Sequence, residues 1–150
     1  MGAVTVQETV TVNRPADVVL ATLRDIDGQS RWWPGQYLSQ ALASDDQGRV
    51  TRSRIGNDVK VAKDDFEVVY THREGTAGYS WVLDSSSLIQ RAQSGSWTLR
   101  DLADGRCEVT LDLTVDANLP LPGFVMRKAI GDTVKGATAG LKKHCEALPA

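Results

Sequence analysis

Residue types that commonly perform catalysis or bind metals are sparse in this 150-residue sequence. It contains two histidines, His72 and His144, and two cysteines, Cys107 and Cys145, that lie far apart from each other. The sequence has no HExxH or CxxC pattern, and no glycine-rich segment leads from a strand into a helix as a phosphate-binding loop requires. A serine or cysteine nucleophile also needs a base beside it, and neither histidine stands in a recognisable arrangement for that role. We therefore expect no metal and no cofactor, and we expect both cysteines to be free thiols.

Polar residues on otherwise apolar strand faces are better candidates for chemistry, because a buried charge is kept only where a partner satisfies it. Glu8 interrupts an alternating row of valines in residues 4–12. It either points at the covered face of the sheet or reaches water at the end of the strand. Arg91 and Gln93 share a strand face with Trp97. Arg91 is expected either to hold an anionic head group or pair with Glu8, or else to belong to a row of solvated charges.

Aromatic residues are the second kind of candidate, since large rings shape apolar binding cavities. Tyr79 and Trp81 alternate on one strand face, and Trp97 lies on the face of another strand. The stretch RWWPG places Trp32 beside Trp33 just before a turn. Because consecutive residues of a helix diverge by about 100°, we expect the two rings to point in different directions. Trp32 should pack against the end of the sheet, and Trp33 should lie at a rim or be exposed, where it could gate a ligand.

Alternating sequence patterns predict the strands that position these residues. Residues 4–12 have the period of a half-buried strand. Between residues 36 and 116, successive strands flank three tight-turn signals, at 45–48, 74–76 and 103–105. The last strand alternates most clearly, and its apolar row consists of Cys107, Val109, Leu111, Leu113 and Val115. One apolar and one polar face are typical of an antiparallel sheet that is covered on a single side.

Two short helices are predicted after the first strand. NRPADVVLATLRDID begins a helix, because Pro15 suits the first helical position and Asp17 favours the positive N-terminal end. QSRWW leaves room for about one or two further turns before Pro34, which disfavours helix in the residue before it. This second short helix therefore carries the tryptophan pair.

A long amphipathic helix of about six turns is predicted at the C-terminus. Its apolar residues recur every three or four positions: Met126, Ile130, Val134, Ala137, Leu141 and Cys145. The helix also contains Gly131, Gly136 and Gly140, and each glycine costs about 1 kcal/mol relative to alanine in a helix interior. These glycines either allow close packing of helix on sheet or keep a space open between them.

Several of these segments resemble those of one known superfamily. NRPADVV is similar to its strand-end proline that opens the first helix, RDID to its helix-ending aspartate, and SRWWPG to its Tyr-Pro-x-Trp stretch, with Trp32 in the tryptophan's place. GSWTLRDLADGRCEVTLDLTV resembles its penultimate hairpin and final strand. Over nearly its whole length the chain thus resembles the START-like superfamily, which includes birch-pollen-allergen-like and polyketide cyclase/dehydrase-like proteins. Ser30 and Arg31 depart from the usual Tyr-Pro, and Trp33 is an additional ring.

The resemblance implies an α+β helix-grip fold as a single domain over residues 1–150. In this fold a curved seven-stranded antiparallel sheet wraps around the long C-terminal helix, and two short helices follow strand 1. The resemblance also implies a cavity between sheet and helix that binds or transports a hydrophobic small molecule, such as a lipid, an isoprenoid or a polyketide-like compound. The candidate cavity residues are Glu8, Trp32, Trp33, Tyr79, Trp81, Arg91, Gln93, Trp97, Leu111, Met126, Ile130 and Val134.

Two alternative functions remain open at this point. A polyketide aromatase/cyclase or dehydratase would use the same cavity to shape a reactive chain and would need one acid or base. Glu8, Tyr79, Arg91 and Ser94 are the candidates for that group. A protein-interaction module would instead have a filled interior and a broad exposed apolar patch.

Composition narrows the classes of partner. The formal net charge of −2 gives no electrostatic reason to expect nucleic acid or an anionic membrane. No apolar run approaches the about 20 residues needed to span a bilayer, and MGAVTVQETV lacks the basic and apolar regions of a signal peptide. We therefore expect a cytoplasmic monomer whose partner is a hydrophobic small molecule.

Overall fold

The structure is a computed structural model that describes residues 2–58 and 62–149. The elements in this part of the chain are, in order, β1 (Val4–Val12), α1 (Ala16–Arg24), a 3₁₀ helix (Ile26–Arg31), β2 (Gln36–Ser44), β3 (Val50–Asp58), β4 (Lys63–His72), β5 (Gly78–Leu83), β6 (Gln90–Leu102), β7 (Arg106–Ala117) and α2 (Gly123–Glu146).

All seven strands join one antiparallel sheet in the order β1-β7-β6-β5-β4-β3-β2. Strands β2 to β7 pair with their neighbours in sequence, and β1 returns to pair with β7, so that Glu8 lies opposite Leu111. Helix α2 packs mainly on β1 and β7. The predicted helix-grip fold is therefore confirmed, with one long C-terminal helix and two short helical segments after β1.

The alternation of β7 separates a buried row from a solvated row. Cys107, Val109 and Leu111 have no exposed surface, and they face the buried residues of α2. On the opposite face, threonine hydroxyls of β1 and β7 pair across the strands, with Thr5 Oγ1 2.8 Å from Thr114 Oγ1. Each aliphatic side chain that is fully buried in this way stabilises the fold by roughly 1.5–3 kcal/mol.

Two aspartates hold the short helical segments in place. Asp25 ends α1, and its Oδ1 accepts a hydrogen bond from Gly28 N at 3.3 Å, which starts the 3₁₀ helix. Asp27 Oδ1 accepts a hydrogen bond from Ala41 N at 2.8 Å, which ties this helix to β2. The RDID segment therefore fixes the position of the 3₁₀ helix, and the two tryptophans follow directly after its last residue, Arg31.

Gly140 of α2 lets the turn that contains the two tryptophans pack closely against this helix. A Cβ atom at Gly140 would overlap the carbonyl oxygen of Trp32 and lie 3.4 Å from Pro34 Cδ. At Gly136 a Cβ atom would lie 3.5 Å from Pro34 Cγ, an ordinary contact, and at Gly131 it would meet nothing within 4 Å. The C-terminal half of α2 thus packs closely on this turn, an arrangement that differs from both interpretations of the helix glycines made from sequence.

Candidate functional site

A cavity of about 90 Å³ lies between the sheet and the N-terminal half of α2. Its apolar wall consists of Trp33, Ile55, Phe66, Val68, Trp81, Ile89, Leu113, Val115, Ala117, Leu119, Met126, Ala129 and Ile130. Its polar wall consists of Gln29, Gln36, Asn57, Asp64, Tyr70, Gln90, Gln93 and Thr133. The cavity therefore offers a large apolar surface together with a set of hydrogen-bonding groups.

A chain of hydrogen bonds runs through the polar wall to Asp64, whose residue surface is 4% exposed. Trp81 Nε1 donates to Gln93 Oε1 at 2.8 Å. Gln93 Nε2 then donates to Gln90 Oε1 at 2.7 Å, and Gln90 Nε2 donates to Asp64 Oδ2 at 2.9 Å. Ser87 Oγ donates to the same carboxylate oxygen at 2.5 Å. Two donors thus converge on one oxygen of a buried carboxylate.

The direction of this chain follows from the indole of Trp81. An indole N–H only donates, so the atom of Gln93 that meets it must be the carbonyl oxygen. That choice turns the Gln93 amino group towards Gln90, and it turns the Gln90 amino group towards Asp64 in the same way. Every hydrogen bond in the chain therefore points towards the Asp64 carboxylate.

The tyrosines of the site are held as neutral hydroxyls. Tyr70 lines the cavity, and its hydroxyl lies 2.6 Å from Ser53 Oγ. Tyr79 donates its hydroxyl hydrogen to the carbonyl oxygen of Leu23 at 2.7 Å. Burial raises the pKa of Tyr70 and of Tyr79 above the ordinary tyrosine value, because the charged form would be desolvated. Neither group serves as a base near neutral pH.

Trp32 and Trp33 are both buried, each 6% exposed, which differs from the expectation that Trp33 is exposed or at a rim. Their ring centroids are 6.0 Å apart, and each ring also lies edge-on to Trp97, at 5.9 and 6.0 Å. The prediction that the second short helix carries the tryptophan pair was wrong: the 3₁₀ helix ends at Arg31, and Trp32 follows it with φ −121° and ψ −10°, so the divergence expected for regular helix geometry does not apply. Only Trp33 of the pair lines the cavity.

Five of the residues predicted from sequence lie together at the cavity wall: Trp33, Trp81, Gln93, Met126 and Ile130. Five others are buried in the core but do not belong to the cavity wall: Trp32, Tyr79, Trp97, Leu111 and Val134. Glu8 is half-buried on β1 and lies outside the cavity wall, and Ser94 is exposed.

Arg91 lies on the outer face of the sheet, in contrast to the face predicted from simple alternation. β6 carries one extra residue at this point, since Gln90 pairs with Ala117 and Ala92 pairs with Asp116. This irregularity reverses the alternation, so Gln90 faces the cavity and Arg91 faces solvent. Arg91 Nη1 donates to the carbonyl oxygen of Ala117 at 2.9 Å and lies 3.5 Å from Asp116 Oδ1.

Asp64 and Gln90 are site residues that the sequence analysis missed. Asp64 stands in the same alternating row as Phe66, Val68 and Tyr70, so the period of β4 was a usable signal for an inward-facing carboxylate. Gln90 faces inward only because of the irregularity in β6, for which the sequence carries no local signal.

Within residues 2–58 and 62–149, no group of three or more His, Cys, Asp or Glu residues is arranged to hold a metal ion. In the same residues, no helix has the length and apolar character needed to cross a bilayer. Cys107 and Cys145 are free and buried.

Residues 3–146 match the sequence family described as polyketide cyclase / dehydrase and lipid transport. No curated protein matches the sequence.

Solved structures provide the second comparison. A START superfamily protein from Mycobacterium smegmatis is 21% identical, with 97% of this chain and 99% of that chain covered and a TM-score of 0.88. The Zhui aromatase/cyclase from Streptomyces sp. R1128 is 18% identical, with 96% and 94% covered and a TM-score of 0.77. A STAR-related lipid transfer protein from Xanthomonas axonopodis is 18% identical, with 94% and 85% covered and a TM-score of 0.69. At these identities the likeness shows a common fold.

Proposed function

Since this chain belongs to the polyketide cyclase / dehydrase and lipid transport family, we propose that it binds an apolar small molecule in the cavity between the sheet and α2. The START-like resemblance read from the sequence is confirmed by the family match and by the structural neighbours. The observation that carries the proposal is the cavity itself, a space between sheet and helix whose wall is mainly apolar. Burial of a ligand's apolar surface there contributes about 25 cal/mol per Å² before the costs of binding.

The composition of the wall supports a ligand with rings or a short apolar chain. Trp33, Phe66, Tyr70 and Trp81 bring aromatic rings to the cavity, and Met126 adds a flexible apolar side chain from α2. Rings and methionine adapt to flat or irregular apolar ligands. The volume of about 90 Å³ is small beside the roughly 300–1,000 Å³ of drug-sized ligand pockets, so the ligand that fits this state is compact.

Filling the cavity from α2 tests this proposal. Ala129 lines the cavity, so Ala129→Leu places additional methyl groups inside it. Ala139 is exposed on the same helix, which makes Ala139→Leu a matched control. We expect the unmodified protein to bind naphthalene, which is uncharged and compact, in calorimetric titrations.

We expect Ala129→Leu to weaken naphthalene binding by about tenfold or more, because filling the space removes the contacts that a ligand would make. Ala139→Leu should bind as the unmodified protein does. A folded protein that does not bind naphthalene, or that binds it equally well after Ala129→Leu, would contradict ligand binding in this cavity.

A cyclase or dehydratase activity in the same cavity is a second candidate, supported by one observation. Asp64 places a carboxylate in the cavity wall, where a base for proton transfer would be needed. Glu8, Arg91, Tyr79 and Ser94, the candidates from sequence, lie outside that wall. An Asp64→Asn variant that turns over a poly-β-ketone substrate as fast as the unmodified protein would exclude this role.

A further inference from the structure

Asp64 is the one cavity-lining residue of the described chain that belongs to the Asp, Glu, Lys, Arg or His types. Its carboxylate Oδ2 accepts hydrogen bonds from Ser87 and Gln90, both neutral donors. No Lys or Arg of residues 2–58 and 62–149 forms an ion pair with Asp64, although the residue is 4% exposed. A buried carboxylate without a cation favours a further hydrogen-bond donor.

Three polar atoms at the cavity wall lack a partner within the described part of the chain. Asp64 Oδ1 receives no hydrogen bond from these residues, because both donors converge on Oδ2. Asn57, which pairs with Asp64 across β3 and β4, has a buried Oδ1 without a partner. Trp33 has a buried indole Nε1–H without a partner. Because the Trp33 and Asn57 atoms are fully buried against protein, Asp64 Oδ1 is the free acceptor that the cavity presents to a ligand.

Resting on the proposed function, we infer that the polar end of the bound molecule is an uncharged hydroxyl, of an alcohol or a phenol, which donates to Asp64. A hydroxyl supplies the donor that Asp64 Oδ1 lacks without bringing a second charge into the cavity. The ligand class is an apolar, compact alcohol or phenol.

Other head groups match this wall less well. An ionised carboxylic acid only accepts hydrogen bonds, and its charge is repelled by Asp64 in an apolar enclosure. A protonated amine would pair with Asp64, but its charge must leave water, and this desolvation offsets the attraction between the two ions. Arg91, the residue considered from sequence for an anionic head group, lies on the outer face.

Three ligands with one ring system test the inference by calorimetric titration at neutral pH. They are 2-naphthol, which is uncharged, 2-naphthoate, which is anionic, and 2-naphthylmethylamine, which is cationic; naphthalene itself reports on the cavity without a head group. We expect the unmodified protein to bind 2-naphthol about tenfold or more tightly than 2-naphthoate and more tightly than the amine.

The variant Asp64→Asn keeps the shape of the side chain and removes its charge. We expect it to reduce the preference for 2-naphthol over 2-naphthoate by about tenfold, since repulsion of the anion is lost together with the charged acceptor. Asp65→Asn is the matched control, because Asp65 is the exposed neighbour that pairs with Arg54, at 2.7 Å. It should leave the preference unchanged.

The outcomes separate this inference from the proposed function. Suppose that naphthalene binds the unmodified protein and binds Ala129→Leu more weakly, but that 2-naphthoate or the amine binds as tightly as 2-naphthol. The hydroxyl inference is then overturned, and ligand binding in the cavity stands. An unchanged preference in folded Asp64→Asn also overturns the inference. If no naphthalene derivative binds, the proposed function fails and the inference fails with it. Should Asp64→Asn not fold, the ranking of the three ligands on the unmodified protein decides.

Discussion

Replacing Gly140 with alanine should destabilise the protein, whereas the same replacement at Gly131 should stabilise it. Both glycines lie inside α2, so alanine improves the intrinsic helix propensity at each site by about 1 kcal/mol. At Gly131 the new methyl group meets no atom within 4 Å, and the gain is kept. At Gly140 the methyl group would overlap the carbonyl oxygen of Trp32, which belongs to the backbone and moves only if the turn moves.

The size of the effect at Gly140 follows from what the turn carries. Overpacking of a tight contact costs typically about 1–3 kcal/mol. Displacing Trp32 also weakens its edge-on contacts with Trp97, and such aromatic pairs contribute about 0.5–1.5 kcal/mol each. After the gain in helix propensity is subtracted, a net loss of about 2 kcal/mol remains. In a chain of this length, about 1 kcal/mol corresponds to about 2–4 °C in Tm.

The stability of both variants can be measured in two ways. Tryptophan fluorescence follows denaturation by urea, and circular dichroism follows thermal unfolding. We expect Tm to fall by about 4–8 °C for Gly140→Ala and to rise by about 2–4 °C for Gly131→Ala. The slope of the urea transition should not change, since neither variant alters the surface exposed on unfolding. A Gly140→Ala protein as stable as Gly131→Ala would refute the reasoning, because it would mean that the turn does not rest on α2.

Two further predictions concern the tryptophan pair and His72. We expect the free energy of unfolding to fall by about 3 kcal/mol or more for Trp32→Ala and for Trp33→Ala, since both rings are buried. Only Trp33→Ala should change the affinity for naphthalene in calorimetry, because only this ring lines the cavity. A Trp33→Ala protein as stable as the unmodified protein would contradict the packing. The pKa of His72 is lowered, mainly because burial disfavours the charged imidazolium. Its Nε2–H donates a hydrogen bond to Val50 O at 2.6 Å. The unfolded chain therefore binds the proton more tightly, and stability should fall as pH decreases below about 6.5. Urea titrations across this range should show a smaller fall for His72→Gln, and an equal fall would contradict the assignment.

The fold could be predicted from local sequence patterns, because apolar and polar residues repeat regularly in elements that have one buried face and one solvated face. The alternation of β7 and the apolar spacing of α2 each determine which side is buried. The cavity wall was predicted only in part, since one extra residue in β6 turns Arg91 outward and Gln90 inward. The tryptophan pair depends on a contact over a hundred residues away in sequence, between Trp32 and Gly140, which no local pattern reports.

Asp64 shows a different kind of miss. Its position in β4 follows the same alternation as Phe66 and Val68, so its inward orientation was open to prediction. An aspartate is nevertheless rarely buried without a cation, so its residue type alone favours a solvated position. The polar partners that make its burial tolerable, Ser87 and Gln90, come from a different part of the chain and meet it only in the folded sheet.

The donor-only indole of Trp81 gives the cavity wall an electrical polarity. Each glutamine amide has two orientations that differ by exchange of its oxygen and nitrogen, and the indole at one end of the chain and the acceptor carboxylate at the other select the same orientation for Gln93 and Gln90. The amide dipoles are therefore aligned, with their positive ends towards Asp64, and hydrogen bonds in such a series strengthen one another. A phenylalanine at position 81 would retain the aromatic ring yet leave Gln93 Oε1 without this donor, so that Asp64 alone would orient the two amides.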